Sequence, residues 1–281
     1  MRRINLLEQK IRKILTVVGV LFTSCFFVAP YMVMVLASLS SADQLLLTPP
    51  NLLPIPPHFE RYLAVAFSNE FGPTIINSLI VSSFATVTTL VITLPASYGV
   101  TRFRIKGRTS LLTLFIALMA FPSVGIIGYL YDLIRAIGLF DTTPGLILPY
   151  VAFNIAVSVW VLTNFFKAVP IEIEEAAALD GCSKMGILLR IVIPLIKPGL
   201  MAAALIVFIN TWNEFVVALV LTITNRARTI PVGIASFQGI HETNWSETTT
   251  AAVIASLPVV VLAIFLRRWI ISGLTAGAVK K

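Results

Sequence analysis

Residues 170–194 read PIEIEEAAALDGCSKMGILLRIVIP. Pro170 stands just ahead of Glu172, Glu174 and Glu175, so a helix starting here carries its acids in the first turn, where the macrodipole favours negative charge. Gly181 can take the left-handed conformation of a tight helix exit. Ser183 can then cap a second helix, with Met185, Leu188, Leu189 and Val192 at three- and four-residue spacing and Pro194 stopping it. The stretch predicts a short helix, a turn and another short helix. Ala176, Ala177 and Ala178 leave the first helix a nearly bare backbone cylinder, able to enter a groove on another protein. The alternative is an amphipathic helix resting on lipid. Such helices carry Lys and Arg toward an anionic leaflet, whereas this one leads with three glutamates.

The runs on either side of this polar stretch are of membrane length. The chain of 281 residues is 57% hydrophobic and 12% charged, with a mean hydropathy of +0.92. Soluble domains are roughly 45–50% apolar and 25% charged. A crossing needs about 20 mainly apolar residues, and six segments qualify: 14–39, 75–100, 111–131, 146–166, 200–221 and 249–266. The expected architecture is an all-α membrane protein, one transmembrane domain over residues 1–281, with loop 168–198 between the fourth and fifth spans and a tail at 272–281. Pro149 in the fourth span and Pro258 in the short sixth blur the boundaries.

Arg2, Arg3, Lys10, Arg12 and Lys13 ahead of an apolar run fit the opening of a signal peptide. The run continues through Pro30 to Leu39, too long for such a peptide and without a small-x-small cleavage site, so it reads as a retained anchor. With the start in the cytoplasm, every one of the 21 basic residues falls inside except Arg61, Arg135, Arg226 and Arg228. The positive-inside rule asks for this asymmetry and places both termini in the cytoplasm. It also accounts for the net charge of +8 without nucleic acid, because no soluble basic domain carries the cations. Cys25 lies in the first span and Cys182 in the cytoplasmic loop, which argues against a disulfide or metal site. His58 and His241 have no ligand-spaced companions and read as loop residues.

Two external loops remain. Residues 40–72 contain Pro49, Pro50, Pro54, Pro56 and Pro57, which favour an extended strap, either a spacer or a partner contact. Residues 224–247 carry Phe237, Gln238, Gly239 and Trp245, suited to a docking or sugar-facing tip. Within the spans, Glu214 is the one carboxylate, and an ionisable group at that depth is functional or paired by default. On a continuous helix Asn210, Asn213 and Glu214 share a face and Trp212 points away. Two readings stand: these residues line a solute path, or they hold two membrane subunits together. Asn154 and Asn164 in the fourth span, and Asn77 in the second, are weaker candidates, with interhelical hydrogen bonding as the alternative.

Glu175-Ala176-Ala177, three residues, Gly181, nine residues, then Ile191-Val192-Ile193-Pro194 resembles the EAA loop of ABC importer permeases; Ile193 replaces the usual leucine, a volume-conserving change. Trp212-Asn213-Glu214-Phe215 with Ala218–Thr222 resembles the fifth-span signature of the carbohydrate branch, and residues 273–280 resemble the tail of maltose/trehalose-type permeases. Gly138–Thr142 and Gly145–Pro149 extend the likeness over nearly the whole chain after the first loop.

The resemblance implies the type I importer permease fold and a subunit without catalysis of its own. It implies pairing with a second, homologous permease, docking on an ABC ATPase dimer, and delivery of sugar by an extracytoplasmic binding protein, in the inner membrane of a prokaryote. Glu175, Ala176, Ala177, Asp180, Gly181, Ile191 and Pro194 would form the ATPase coupling contact, and Gly273, Leu274, Thr275 and Gly277 would reach the ATPase interface. No cofactor is expected in this chain. It has no G-x-x-x-x-G-K-[ST] loop, so ATP and Mg would be bound by the partner ATPase. An ion-driven carrier would need intramembrane coupling groups, for which Glu214 alone is thin support. An intramembrane enzyme would need a catalytic constellation, and none is visible in the spans.

Overall fold

In lipid every backbone N–H and C=O must be paired within its own segment, so apolar runs of this length fold as helices. The computed structural model describes residues 2–48, 51, 53–237 and 244–278, and among them there are helices and turns but no strands. In chain order the helices are α1 (Arg2–Leu39), α2 (Ala42–Leu46), α3 (Glu60–Ala66), α4 (Gly72–Arg102), α5 (Arg108–Met119), α6 (Ile127–Ala136), α7 (Thr143–Ala168) and α8 (Ile171–Leu179). They continue as α9 (Lys184–Ile187), α10 (Ile193–Leu195), α11 (Lys197–Trp212), α12 (Val216–Leu221), α13 (Ile230–Ser236) and α14 (Trp245–Ala278). The chain divides into two units, Met1–Phe67 with Ser236–Ile254, and Ser68–Ala235 with Ala255–Lys281.

In the first unit the carbonyls at the end of α1 find side-chain donors. Arg61 Nη1 donates to the Ser38 and Ser40 carbonyls at 2.9 and 2.8 Å. The Thr250 and Ser246 hydroxyls donate to the same two carbonyls at 3.2 and 3.1 Å. A helix end away from water needs such partners, because its last carbonyls have none inside the helix. The strap expected after α1 is not extended throughout. Ser41 and Gln44 form a capping box that starts α2 ahead of the prolines, and α3 follows them. Between α2 and α3 the described residues 47–48, 51 and 53–59 run without helix, and Pro49 and Pro50 lie outside the described residues.

The second unit is built around α4, α7 and α11. Ser78, Ser82, Thr86, Thr89, Thr93 and Ser97 recur every three or four residues along α4 and are all buried. Small side chains let membrane helices approach closely, and Thr93 and Ser158 share a hydroxyl hydrogen bond of 2.7 Å between α4 and α7. Gly199 permits the matching contact with α11, since a Cβ there would overlap the Phe165 ring. Gly199→Ala should therefore force α7 and α11 apart and cost about 1–3 kcal/mol. A melting temperature in mild detergent equal to that of the native chain would contradict this close approach.

Among the described residues four helices are each long and apolar enough to cross a membrane, Arg12–Leu39, Gly72–Arg102, Thr143–Ala168 and Trp245–Arg267, and two bent pairs raise the number to as many as six. The third expected span is not straight: Arg108–Met119 and Ser123–Ala136 meet at 86°. Pro122, with no N–H and an extended backbone (φ −72, ψ 111), makes that break. The fifth is interrupted within its expected bounds where α11 stops at Trp212 and α12 begins at Val216. Ahead of it, Lys184–Leu195 and Lys197–Trp212 meet at 80°. Pro149 and Pro258 break nothing; α7 and α14 run through them, and α14 extends well beyond the expected 249–266.

Candidate functional site

The predicted helix, turn and helix is present, although Pro194 does not stop the second helix: it sits within α10, in a first turn where its missing N–H costs nothing. α8 begins after Pro170 with Glu172 and Glu174 in its first turn. It ends in a Schellman closure, with the Cys182 N–H on the Ala177 carbonyl at 3.0 Å and the Gly181 N–H on that of Ala178 at 3.1 Å. Gly181 takes φ 83, and the Ser183 hydroxyl caps α9 by accepting the Gly186 N–H at 3.2 Å. The inward face of the second helix differs from the expected one. A π-helical turn, Leu188–Val192, follows α9 and rotates the helix face. Leu188 and Val192 are buried together with Ile187 and Ile196, while Met185 and Leu189 stand 60% and 55% exposed.

Glu175, Ala176, Asp180, Gly181 and Pro194 are exposed, and Leu179 is 90% exposed. Ala177 instead faces the interior, and Ile191 packs half-buried against the cluster of Leu188, Val192 and Ile196. Sequence reasoning missed Glu174, three residues before Ala177 and on the same inward face. Its carboxylate accepts Arg102 Nε at 2.6 Å and the Tyr98 hydroxyl at 2.7 Å. Arg102 Nη2 also donates to the Val169 carbonyl at 2.8 Å. Three nearby glutamates gave no way to tell which one turns inward.

A second feature is a cavity of about 590 Å³, whose walls include Phe115, Phe121, Tyr150, Asn154, Asn210 and Glu214. Three of the predicted path residues meet there. Asn210 Nδ2 donates to Asn154 Oδ1 at 3.1 Å, and Asn154 Nδ2 to the Tyr150 carbonyl at 2.8 Å. The Tyr150 hydroxyl donates to Glu214 Oε2 at 2.7 Å. Tyr150, 1% exposed, was not foreseen; an aromatic in an apolar run carries no sign that its hydroxyl has a partner 64 residues on.

Asn213 does not join this wall. The shared-face expectation assumed a continuous helix, but α11 ends one residue earlier and Asn213 is exposed. Glu214 closes the gap instead, accepting the Val217 N–H at 2.9 Å and the Ala218 N–H at 3.2 Å. The helix start thus receives its donors' partner and a negative charge together. Trp212 does point away, its indole N–H on the Ala255 carbonyl at 3.1 Å. Asn77 Nδ2 donates to the Asn225 and Arg228 carbonyls, both at 3.0 Å. Asn164 Nδ2 donates to the Trp160 carbonyl of its own helix, at 3.0 Å.

Asp141, with φ 56, ties the turn before α7 to the segment after α12. It accepts the N–H groups of Ile223 and Thr224 at 2.9 and 3.1 Å and the Thr224 hydroxyl at 2.6 Å. Burial pushes its carboxyl up, but these hydrogen bonds and the charge of Arg226 outweigh it and hold the group below its ordinary value. A depressed carboxylate contributes stability above its unfolded pKa, about 3.9, and loses it as pH falls through the lower folded value. Asp141→Asn keeps a residue tolerant of positive φ and removes the charge. It should melt below the native chain at neutral pH, with the gap closing below about pH 4. A gap independent of pH would contradict the charge's role.

Gly273, Leu274, Thr275 and Gly277 lie on the last turns of α14. Residues 279–281, and Gln238, Gly239 and His241 of the second expected external loop, lie outside the described residues.

The family described as binding-protein-dependent transport system inner membrane component matches residues 90–276. The trehalose/maltose transport system permease protein of Thermococcus litoralis is 37% identical over 276 residues, 97% of this chain and 99% of the relative. The trehalose transport system permease protein of Mycobacterium tuberculosis is 36% identical over 82% of this chain and 85% of its own. The sulfoquinovosyl glycerol transport system permease protein of Agrobacterium fabrum is 33% identical over 86% and 85%. In fold the chain is similar to a crystal structure of a bacterial ABC transporter involved in the import of alginate, with TM-score 0.74 at 24% identity over 93% of this chain and 97% of that one. A methionine ABC transporter matches at TM-score 0.56 and 17% identity, over 75% and 97% of the two chains. With its apolar helices, its interrupted fifth span and the helix–turn–helix before it, the chain belongs to the inner-membrane components of binding-protein-dependent transport systems.

Proposed function

We propose that this chain is the permease subunit of an ATP-driven importer for a sugar or oligosaccharide. It forms the translocation path with a second, homologous permease and couples to an ABC ATPase dimer through the α8–α9 element, with Glu175, Ala176, Asp180, Gly181 and Pro194 at its surface and Ala177 and Ile191 in the base that supports them. The observation that carries this reading is the α8–α9 element. Glu175, Ala176, Leu179 and Asp180 stand exposed on a base whose Ala177, Ile187 and Leu188 are buried. A rigid base with a projecting surface suits a groove on a partner. The carbohydrate named for three relatives supports a sugar as cargo.

The chain supplies no catalytic residue. ATP and Mg are bound by the partner ATPase, whose closure draws the two coupling grooves together and turns the permease pair from inward-open to outward-open, in proportion to ATP's preference for the closed state. Asn154, Asn210 and Glu214 with Tyr150 offer amide, carboxylate and hydroxyl groups to a sugar, and Phe115 and Phe121 offer aromatic faces for its C–H surfaces. An extracytoplasmic binding protein delivers the solute. The cationic loops support a cytoplasmic location for both termini, where Gly273, Leu274, Thr275 and Gly277 would approach the ATPase. Purification of the tagged chain from its native membranes in mild detergent, with mass spectrometry of what stays bound, tests the assembly. An ATPase and a second permease are the expected companions; a chain recovered alone would sink the reading.

A further inference from the structure

Resting on the coupling reading above, we propose that Arg102, Tyr98 and Glu174 are positioning residues: they latch the α8–α9 element to the end of α4, so that α4 moves with it as one body. Both oxygens of Glu174 are engaged, Oε1 by Arg102 Nε at 2.6 Å and Oε2 by the Tyr98 hydroxyl at 2.7 Å. The side chains of Arg102 and Glu174 are only 11% and 8% exposed. The other nitrogen of the Arg102 fork holds the Val169 carbonyl at 2.8 Å, at the point where α7 gives way to α8. One guanidinium therefore fixes both the helix and the link that leads into it.

The second helix is held from the same place. Lys184 Nζ of α9 lies 5.1 Å from the centre of the Phe103 ring, within cation–π range. Phe103 packs edge-on against Tyr98 at 6.3 Å, and Tyr98 against Phe166 at 5.6 Å. Tyr98, Arg102 and Phe103 thus touch both arms of the helix–turn–helix. A buried ion pair is a poor source of net stability compared with apolar side chains of similar volume. What a forked, doubly satisfied pair supplies is direction and register.

α4 can carry what it receives. It runs unbroken over 31 residues from Gly72 to Arg102. At its far end the Asn77 amide holds the carbonyls of Asn225 and Arg228, and the Ser78 hydroxyl accepts the Ile230 N–H at 2.7 Å. A displacement entering at Arg102 therefore reaches residues 225–230 through a rod rather than a loop.

The test needs no knowledge of the solute. Met185 on α9 and Val87 on α4, both 60% exposed, are replaced by cysteine in a chain whose Cys25 and Cys182 are serine, and carry nitroxide labels. Pulsed EPR then reads their separation, first in the purified chain and then in the importer with and without a non-hydrolysable ATP analogue. The latch predicts a narrow distribution that nucleotide leaves in place, at least twofold wider in Glu174→Gln and Arg102→Met and intermediate in Arg102→Lys, which keeps the charge on Glu174 but lacks the fork that also holds Val169. Equal widths in native, Glu174→Gln and Arg102→Met overturn the proposal, as does a nucleotide-driven shift of the native separation. If the single variants fail to fold, Arg102→Met/Glu174→Met leaves no unpaired charge; a broad distribution there supports the latch and a native one overturns it. The coupling reading fails separately, when no ATPase purifies with the chain, whatever the widths in the chain alone.

Discussion

Gly181→Val should lower solute uptake by at least about tenfold while leaving the chain in the membrane. Gly181 has φ 83, and a Cβ there would meet no atom within 4 Å, so the penalty is conformational rather than steric crowding. A side chain in the left-handed region costs roughly 1–2 kcal/mol, and a β-branched one is a genuine outlier there. The turn relieves that strain by opening the Schellman closure, which changes the angle at which α9 leaves α8. Each 1.4 kcal/mol is tenfold in an equilibrium, and here the equilibrium is between a coupling surface that fits its groove and one that does not. Gly181→Asn, tolerant of positive φ, should retain most of the transport. Uptake per embedded molecule, measured in cells carrying the importer, distinguishes the two; native uptake by the valine variant would remove Gly181 from the coupling contact.

The second large effect is expected at Glu214. Glu214→Ala deprives the N–H groups of Val217 and Ala218 and the Tyr150 hydroxyl of their acceptor. Loss of a helix cap costs about 1 kcal/mol and a buried donor left unpaired about 1–3 kcal/mol more. Uptake should fall about tenfold or more, with a lowered melting temperature. Glu214→Gln still offers a carbonyl oxygen, so it should recover much of the stability; whatever transport it fails to recover belongs to the negative charge at the cavity wall. An alanine variant with unchanged assembly and uptake would retire Glu214 as a site.

Much of this was legible in the sequence because it depends on local chemistry. Apolar length marked the membrane segments, Pro170 and Gly181 bounded α8, and Ser183 opened α9. Hydropathy does not register direction, so it could not show that Pro122 bends the third span or that the fifth stops at Trp212. The second error had a consequence: it put Asn213 on a helix face that does not exist and hid the capping role of Glu214. The π turn at Leu188–Val192 leaves no periodic trace, so the three- and four-residue spacing grouped Met185 and Leu189 with the buried Leu188 and Val192. Arg102 and Glu174 are 72 residues apart in sequence. Their types permit a pair, but only the packing of α8 beneath α4 selects Glu174 over Glu172 and Glu175.

The central claim is that this chain moves a sugar only when an ATPase drives it through the α8–α9 element. Reconstitution of the purified importer in proteoliposomes, with ATP and Mg enclosed on the ATPase side and the binding protein loaded with its own sugar, measures that claim most directly. The account predicts accumulation that requires ATP and is lost with Gly181→Val. Equal accumulation without ATP, driven by an ion gradient alone, would contradict it.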